Sequence, residues 1–318
     1  MLIITNRNIN KANFVNGVGD HNAFGDNLNT KGANEVRLAH AEKIDGKWQV
    51  RLVKEPSKLT TNNLPSAKEF SSLRDKLLAT KKNCVFFVHG FNQSFEKNLE
   101  KALKMQEMHD VEVIAFSWPS NPGGFKTKEY RAAKRNAQVS VGALDATLEK
   151  FGQFLKEPFN HQALKQCDIK ISLMTYSLGN FLFQNYVNHA SYEDETRIFT
   201  NIVLCQADVD NHNHADWVDR IEAAKRVYIT INENDWVLKW SDINFQKDRL
   251  GRTARNLNAQ NAIYFDFTDG PDVDRTHGIF YQETNPIVEG FFTTVLNGQR
   301  AERHTTLQFD PQLNAYRF

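Results

Sequence analysis

Cysteine is scarce in this chain, three in 318 residues, and no apolar run approaches the ~18–20 residues that span a bilayer. Cys84, Cys167 and Cys205 each lie in or beside an apolar, strand-like stretch, so buried free thiols are expected and a disulfide framework or zinc site is not. The apolar run at the start, Met1-Leu2-Ile3-Ile4, is too short for the core of a signal peptide and has no basic segment before it. Together with reduced thiols this leads to the expectation of a cytoplasmic protein. Charge of one sign is also lacking. Lys and Arg number 39 against 38 Asp and Glu, a net charge of +1, so no global field draws the protein to nucleic acid or an anionic membrane. With 41% apolar and 24% charged residues the chain is an ordinary folded one, long enough for a large core.

Nine asparagines fall in the first 34 positions, and Asn6 to Asn34 shows no hydrophobic period, which reads as a long surface loop. Around it stand short β signals at Leu2–Thr5, Glu35–Ala41 and Trp48–Val53, the last two separated by the hairpin turn Asp45-Gly46. Antiparallel strands are expected there. Apolar residues at helical spacing follow from Ser66 to Thr80. Compact Val/Ile/Phe-rich runs then recur at Cys84–Val88, Val111–Phe116, Ile169–Met174, Ile202–Cys205, Val227–Ile231 and Ala262–Phe267, the mark of strands buried on both faces. Helical segments separate most of them. The longest spans about Lys128 to Leu155, with Tyr130, Ala133, Ala137, Val141, Leu144, Leu148, Phe151 and Leu155 at steps of three and four. Alternating strands and helices predict an α/β fold, a doubly wound and mostly parallel sheet that takes ligands outside the carboxyl ends of its strands.

Nucleotide motifs are missing from such a sheet. No strand is followed by G-x-G-x-x-G, and Gly123-Gly124 leads to Phe125-Lys126-Thr127 without P-loop spacing. Instead a strand ends in Met174-Thr175-Tyr176-Ser177-Leu178-Gly179-Asn180, a serine between an apolar run and a helix with glycine two places on. That is the setting of a nucleophile elbow, where the residues two before and two after the serine must be small. Helix N-capping is the plainer role for Ser177. Three other strand ends supply what an activated serine needs. Phe86-Phe87-Val88 runs into His89-Gly90-Phe91-Asn92, where backbone N–H groups can face an oxyanion and His89 suits a backbone-shaping role. Tyr228–Ile231 leads to Asn232-Glu233-Asn234-Asp235, and the last strand leads to Thr276-His277-Gly278. The order Ser177, Asp235, His277 is that of an α/β-hydrolase triad and not of the chymotrypsin or subtilisin arrangements.

From about Cys84 to Leu296 the chain resembles the α/β-hydrolases, most closely an uncharacterised bacterial serine-hydrolase branch, esterase- or lipase-like. Val88-His89-Gly90-Phe91-Asn92, Phe116-Ser117-Trp118-Pro119-Ser120 and Ser177-Leu178-Gly179-Asn180 carry the resemblance. It implies Ser177 as nucleophile, His277 as base, Asp235 as orienting acid, and oxyanion donation from the N–H groups of Leu178 and Phe91. Tyr176 stands where that branch commonly has histidine. A single domain over 1–318 is expected: antiparallel strands and the long loop in 1–65, the hydrolase core in 66–297, and a tail in 298–318 whose two short β signals suggest a hairpin on a sheet edge or against a second subunit.

The expected function is hydrolysis of an ester, thioester or amide through an acyl-enzyme on Ser177, with no cofactor and a small-molecule or acyl substrate as partner. One alternative is a binding or signalling module of the same fold, its serine misplaced by crowding from Thr175 and Tyr176. Asp208 and Asp210, after the strand Ile202–Cys205, are rival acids. They also open the alternating series Asp208, Asp210, His212, His214, Asp216, which in an extended segment would face one way and suit Zn²⁺ or Mn²⁺ in a metal-assisted hydrolase. Asn213 at the sixth position and Asp219 at the twelfth exclude an EF-hand. Lys126, Lys128, Arg131, Lys134 and Arg135 read as a solvated basic face. The alternating Trp236, Leu238 and Trp240 suit either the wall of an acyl pocket or core packing. Pocket shape is expected from the segments Pro119–Thr127 and Trp236–Asn258.

Overall fold

The computed structural model describes every residue except 57–59, 61–63, 121–126, 190–196, 246 and 283–284. The chain opens with β1 (Leu2–Thr5), the short β2 (Arg7–Ile9), β3 (Phe14–Val15), β4 (Val18–Gly19) and β5 (Phe24–Leu28), then the hairpin β6 (Arg37–Ile44) and β7 (Lys47–Leu52). Helices and strands alternate from there: α1 (Pro65–Thr80), β8 (Asn83–Val88), α2 (Phe95–His109), β9 (Val111–Ser117), α3 (Thr127–Val139), α4 (Val141–Lys156), α5 (Pro158–Gln166), β10 (Ile171–Tyr176) and α6 (Gly179–His189). The last part holds β11 (Phe199–Cys205), α7 (Ala215–Val218), β12 (Ala224–Ile231), α8 (Trp236–Phe245), β13 (Ala262–Asp266), α9 (Pro286–Leu296), β14 (Gln308–Asp310) and β15 (Ala315–Arg317).

One 13-stranded sheet runs β14-β15-β13-β12-β11-β10-β8-β9-β1-β6-β7-β4-β3. Every pairing from β15 through to β1 is parallel, and antiparallel strands extend the sheet at both ends. This is the expected α/β architecture. The strands are apolar throughout because both faces are covered. Cys84, Phe86 and Val88 point into a core with α1, α3, α4 and α6, while Val85 and Phe87 point into another with α2 and α9. Asp45 and Gly46 both take positive φ (48° and 76°) in the two-residue turn of the β6–β7 hairpin, as the sequence predicts. The terminal hairpin also forms, and β15 pairs in parallel with β13, so the tail covers that sheet edge.

Three expectations are corrected. The Asn-rich stretch from 6 to 34 is not a bare loop, since it contributes β2 and β5 as a small sheet and β3 and β4 to the main one. Its strands are two to five residues long, too short to leave a hydrophobic period. The helix read from 128 to 155 is two helices that meet at Ser140. The buried Ser140 hydroxyl accepts from Asn6 Nδ2 at 2.9 Å, and the Asn34 side chain packs against the Gly142 backbone, so the N-terminal segment docks at the break. Finally, Cys84 and Cys205 are buried but Cys167, just past α5, is exposed.

Three imidazoles tie layers together as neutral rings, each with one donor and one acceptor nitrogen. His89 donates to the Gly90 carbonyl and accepts from Trp118 N; His109 donates to the Phe280 carbonyl and pairs with Thr293 Oγ1; His214 donates to the Asn211 carbonyl and pairs with the Tyr264 hydroxyl. Burial is the main cause that lowers all three from the ordinary imidazole value, His89 most. In the unfolded chain they gain protons as pH falls through about 6.5, whereas the native rings stay neutral, so their stabilisation is complete above that value and lost below it. The urea midpoint is expected to fall between pH 7.5 and 5.5, with proton uptake on unfolding at the lower pH. Equal midpoints and no uptake would contradict this.

Candidate active site

Ser177 occupies the turn between β10 and α6 with φ at +53°, the left-handed conformation that strains a residue with a side chain. Its surroundings hold it there. Ser177 N donates to the Cys205 carbonyl at 3.0 Å, and its own carbonyl accepts from Asp208 N and Asn180 N, each at 3.1 Å. Asn180 Nδ2 reaches the carbonyls of Thr175, Ser177 and Cys205. A Cβ on Gly179 would lie 2.6 Å from the His89 carbonyl oxygen and 2.7 Å from that of Val88, so the end of β8 leaves no room there for any other residue. Thr175 fits the other confined position, because its hydroxyl donates to Asn180 Oδ1 at 2.6 Å. Tyr176 does not crowd the serine. Its ring packs on Phe280 and flanks His277, both with centroids 5.0 Å away, and Lys101 Nζ lies 4.9 Å over it.

Ser177, His277 and Asp235, distant in sequence, meet at the carboxyl end of the sheet. Ser177 Oγ lies 3.0 Å from His277 Nε2, and His277 Nδ1 lies 2.6 Å from Asp235 Oδ2. The Asp235 side chain is fully buried and that of His277 is 11% exposed. Asp235 Oδ1 accepts from Val237 N and Leu238 N at 2.9 and 3.0 Å, capping the first turn of α8. Gln206, which the sequence did not single out, donates from Nε2 to Asp235 Oδ2 at 2.7 Å. A lone glutamine after a strand carries no pattern by which to find it.

The end of β8 approaches the serine closely. A Cβ on Gly90 would fall 2.6 Å from Ser177 Cβ. The next residues are braced from several sides: Asn92 N donates to the Ser120 carbonyl, Gln93 Nε2 to the carbonyls of Phe91 and Asn92, and the buried Arg7 guanidinium to the Gln93 carbonyl at 2.7 Å. His89 takes part from below. Its ring stacks on Trp118 at 5.5 Å, and Trp118 Nε1 donates to the His89 carbonyl at 2.8 Å. This is the backbone-shaping position expected for it. Phe91 and Leu178 directly follow Gly90 and Ser177 in the chain.

The rival acids lie elsewhere. Asp208 is buried and accepts from the hydroxyls of Tyr130 and Ser241 at 2.8 and 2.9 Å, with Arg249 Nε at 3.2 Å. Asp210 pairs with Lys247. Neither faces His277. Nor does the Asp208–Asp216 series share a face, because the segment is not extended: Asn213 turns with φ at +59° and Asp216 lies in α7. His212 is exposed whereas His214 is buried against Tyr264, and among the described residues no group of three or more His, Cys, Asp or Glu side chains could hold a metal.

Trp236, Leu238 and Trp240 do not alternate along a strand; they lie on α8, with Leu238 buried, Trp236 exposed, and Trp240 edge-on to Tyr130. Helical spacing puts Leu238 on the face opposite to Trp236 and Trp240. Lys128, Arg131 and Arg135 are exposed on α3, as a solvated face should be, while Lys134 Nζ sits 4.1 Å over the Phe181 ring. Lys126, Gly123-Gly124 and most of the pocket segment from Pro119 to Thr127 lie outside the described residues.

Residues 66–275, about two-thirds of the chain, match the model of a family described as "Alpha/beta hydrolase of unknown function (DUF900)". The match runs from α1 to two residues before His277. No curated protein and no solved structure matches the chain. Among the described residues no helix is long and apolar enough to cross a membrane.

The Asn180 amide, buried with every polar atom paired, is the internal brace of the Ser177 turn. Asn180→Ala strands buried carbonyls and should lower the unfolding free energy by about 1–3 kcal/mol in urea titrations. An unchanged midpoint would show that the turn holds itself.

Proposed function

Because the chain belongs to this family of α/β-hydrolases, we propose that Ser177, His277 and Asp235 form a catalytic triad and that the protein hydrolyses an ester, thioester or amide through an acyl-enzyme. The observation that carries the reading is the unbroken path from Ser177 Oγ to His277 Nε2 (3.0 Å) and from His277 Nδ1 to the buried Asp235 carboxylate (2.6 Å). A serine hydroxyl is a weak nucleophile until a base takes its proton, and an imidazole does so when its other nitrogen is held in the N–H form. Asp235 Oδ2 fixes that tautomer, leaving the Nε2 lone pair on the serine hydroxyl.

In the proposed reaction Ser177 Oγ bonds to the acyl carbon as its proton passes to His277 Nε2. The carbonyl π-electron pair moves onto oxygen, where the N–H groups of Leu178 and Phe91 receive it. Such donors contribute about 3–4 kcal/mol each when aimed at the oxyanion. Collapse of the intermediate expels the alcohol, thiol or amine, which takes the proton from the imidazolium. Water then repeats the sequence on the acyl-enzyme, releasing the acid and restoring the Ser177 hydroxyl. Asp235 stabilises the imidazolium in both halves without itself taking a proton.

A fluorophosphonate probe is expected to form one adduct, mapped by peptide mass to Ser177 and absent from Ser177→Ala. Hydrolysis of p-nitrophenyl esters of graded chain length should follow the same pattern, with Asp235→Asn losing about 10⁴-fold in kcat. Folded wild type that forms no adduct, or a Ser177→Ala variant that cleaves esters as fast as wild type, would overturn the triad.

A further inference from the structure

We propose that Gln206 is a positioning residue for the acid–base pair: its side-chain amide holds the Asp235 carboxylate and the Thr276–Ile279 backbone, which carries His277, in one fixed arrangement. The proposal deepens the triad reading and rests on it.

The amide is used to its full capacity of two donors and two acceptor sites. Gln206 Nε2 donates to Asp235 Oδ2 at 2.7 Å and to the Thr276 carbonyl at 2.8 Å. Gln206 Oε1 accepts from Gly278 N at 2.6 Å and from Ile279 N at 3.0 Å. One side chain thus brackets His277 from both sides along the chain and also touches the oxygen to which its Nδ1 is bonded. The His277 segment follows β13 in turns, with no strand ladder to fix it, so its place depends on such bonds. Asn232 Nδ2 gives a second hold on the Thr276 carbonyl at 3.1 Å but does not reach the carboxylate.

Gln206 is itself firmly seated. It is fully buried, its N–H donates to Thr230 Oγ1 on β12, and its φ of +40° is one that residues with side chains rarely adopt. The neighbouring Ala207 carbonyl accepts from Gly251 N at 3.0 Å. A strained, buried glutamine whose side chain bonds to Asp235 and to the Thr276–Ile279 backbone, and joins the ends of β11, β12 and β13, is placed to act through others.

The chemistry requires an amide. Leucine would fill similar space and delete all four bonds. Glutamate would keep the acceptor half but set a second carboxylate against Asp235 Oδ2, tolerable while the two share a proton and repulsive once it leaves. The titratable groups around the pair are His277, Cys205 on β11, Tyr176 on β10, Tyr281 beyond His277, and Lys101 on α2.

The test uses the full chain with Gln206→Leu and Gln206→Glu. Gln206→Leu should lower kcat for a p-nitrophenyl ester roughly ten- to hundred-fold with KM little changed. Gln206→Glu should be closest to wild type at the acidic end of the pH–rate profile and gain a descending alkaline limb that wild type lacks. A readout independent of turnover is the low-field proton resonance of the His277 Nδ1–H. It should be present in wild type, absent from Asp235→Ala, and lost or broadened by exchange in Gln206→Leu. A Gln206→Glu profile parallel to wild type, or an unchanged low-field resonance in Gln206→Leu, would overturn the proposal. Absence of a Ser177 adduct in wild type would instead strike the triad, and the resonance would still decide the role of Gln206.

Discussion

Burying a carboxylate costs several kcal/mol unless its lone pairs find donors, and at the end of β12 the donors come from three separate parts of the chain. Two are backbone N–H groups of α8, one is the Gln206 amide after β11, and one is the His277 imidazole after β13. Asp235 can therefore be dry only when all three are in register. That requirement couples the start of a helix to the ends of three neighbouring parallel strands. A looser arrangement would admit water to the carboxylate and free the imidazole to turn.

A second constraint acts one strand further on. The backward turn at Ser177 fits because Gly179 leaves room for the carbonyls at the end of β8 and Gly90, just past β8, leaves room for Ser177, and because Asn180 collects carbonyls from its own turn and from β11. The loop after β8 is braced by Arg7 and Gln93, and His89 is locked to Trp118. Arg7 reaches this loop from the N-terminal segment, which also pins the α3–α4 break through Asn6. The front of the chain thus supports the site although no candidate site residue lies in it.

Much of this was legible because it follows from local chemistry. The doubly buried strands announce themselves as unbroken apolar runs, Asp45-Gly46 as a hairpin turn, and Ser177-Leu178-Gly179 as a serine that needs a small neighbour. The order of strand ends then brings Asp235 and His277 to the serine. What stayed hidden depends on partners distant in sequence. One helix gives way to the next at Ser140, where Asn6 meets it, and the apolar stripe runs through that point unaltered. Asp208 and Asp235 look alike after adjacent strands, and what separates them is that Tyr130, Ser241 and Arg249 claim one carboxylate and His277 the other. The Asp208–Asp216 alternation presupposed an extended chain that Asn213 and α7 refuse. Trp236 to Trp240 was legible in principle, since an aspartate before that run is a helix N-cap signal.

The central claim is spatial: a reacting acyl carbon at Ser177 Oγ has its oxygen between two backbone donors and its departing group within reach of His277. A crystal structure of the phosphonylated protein tests it directly. The account predicts phosphorus bonded to Ser177 Oγ, the phosphoryl oxygen within hydrogen-bonding distance of Leu178 N and Phe91 N, and His277 still paired with Asp235. Phosphorus bonded to another side chain, or a phosphoryl oxygen turned away from both N–H groups, would contradict it.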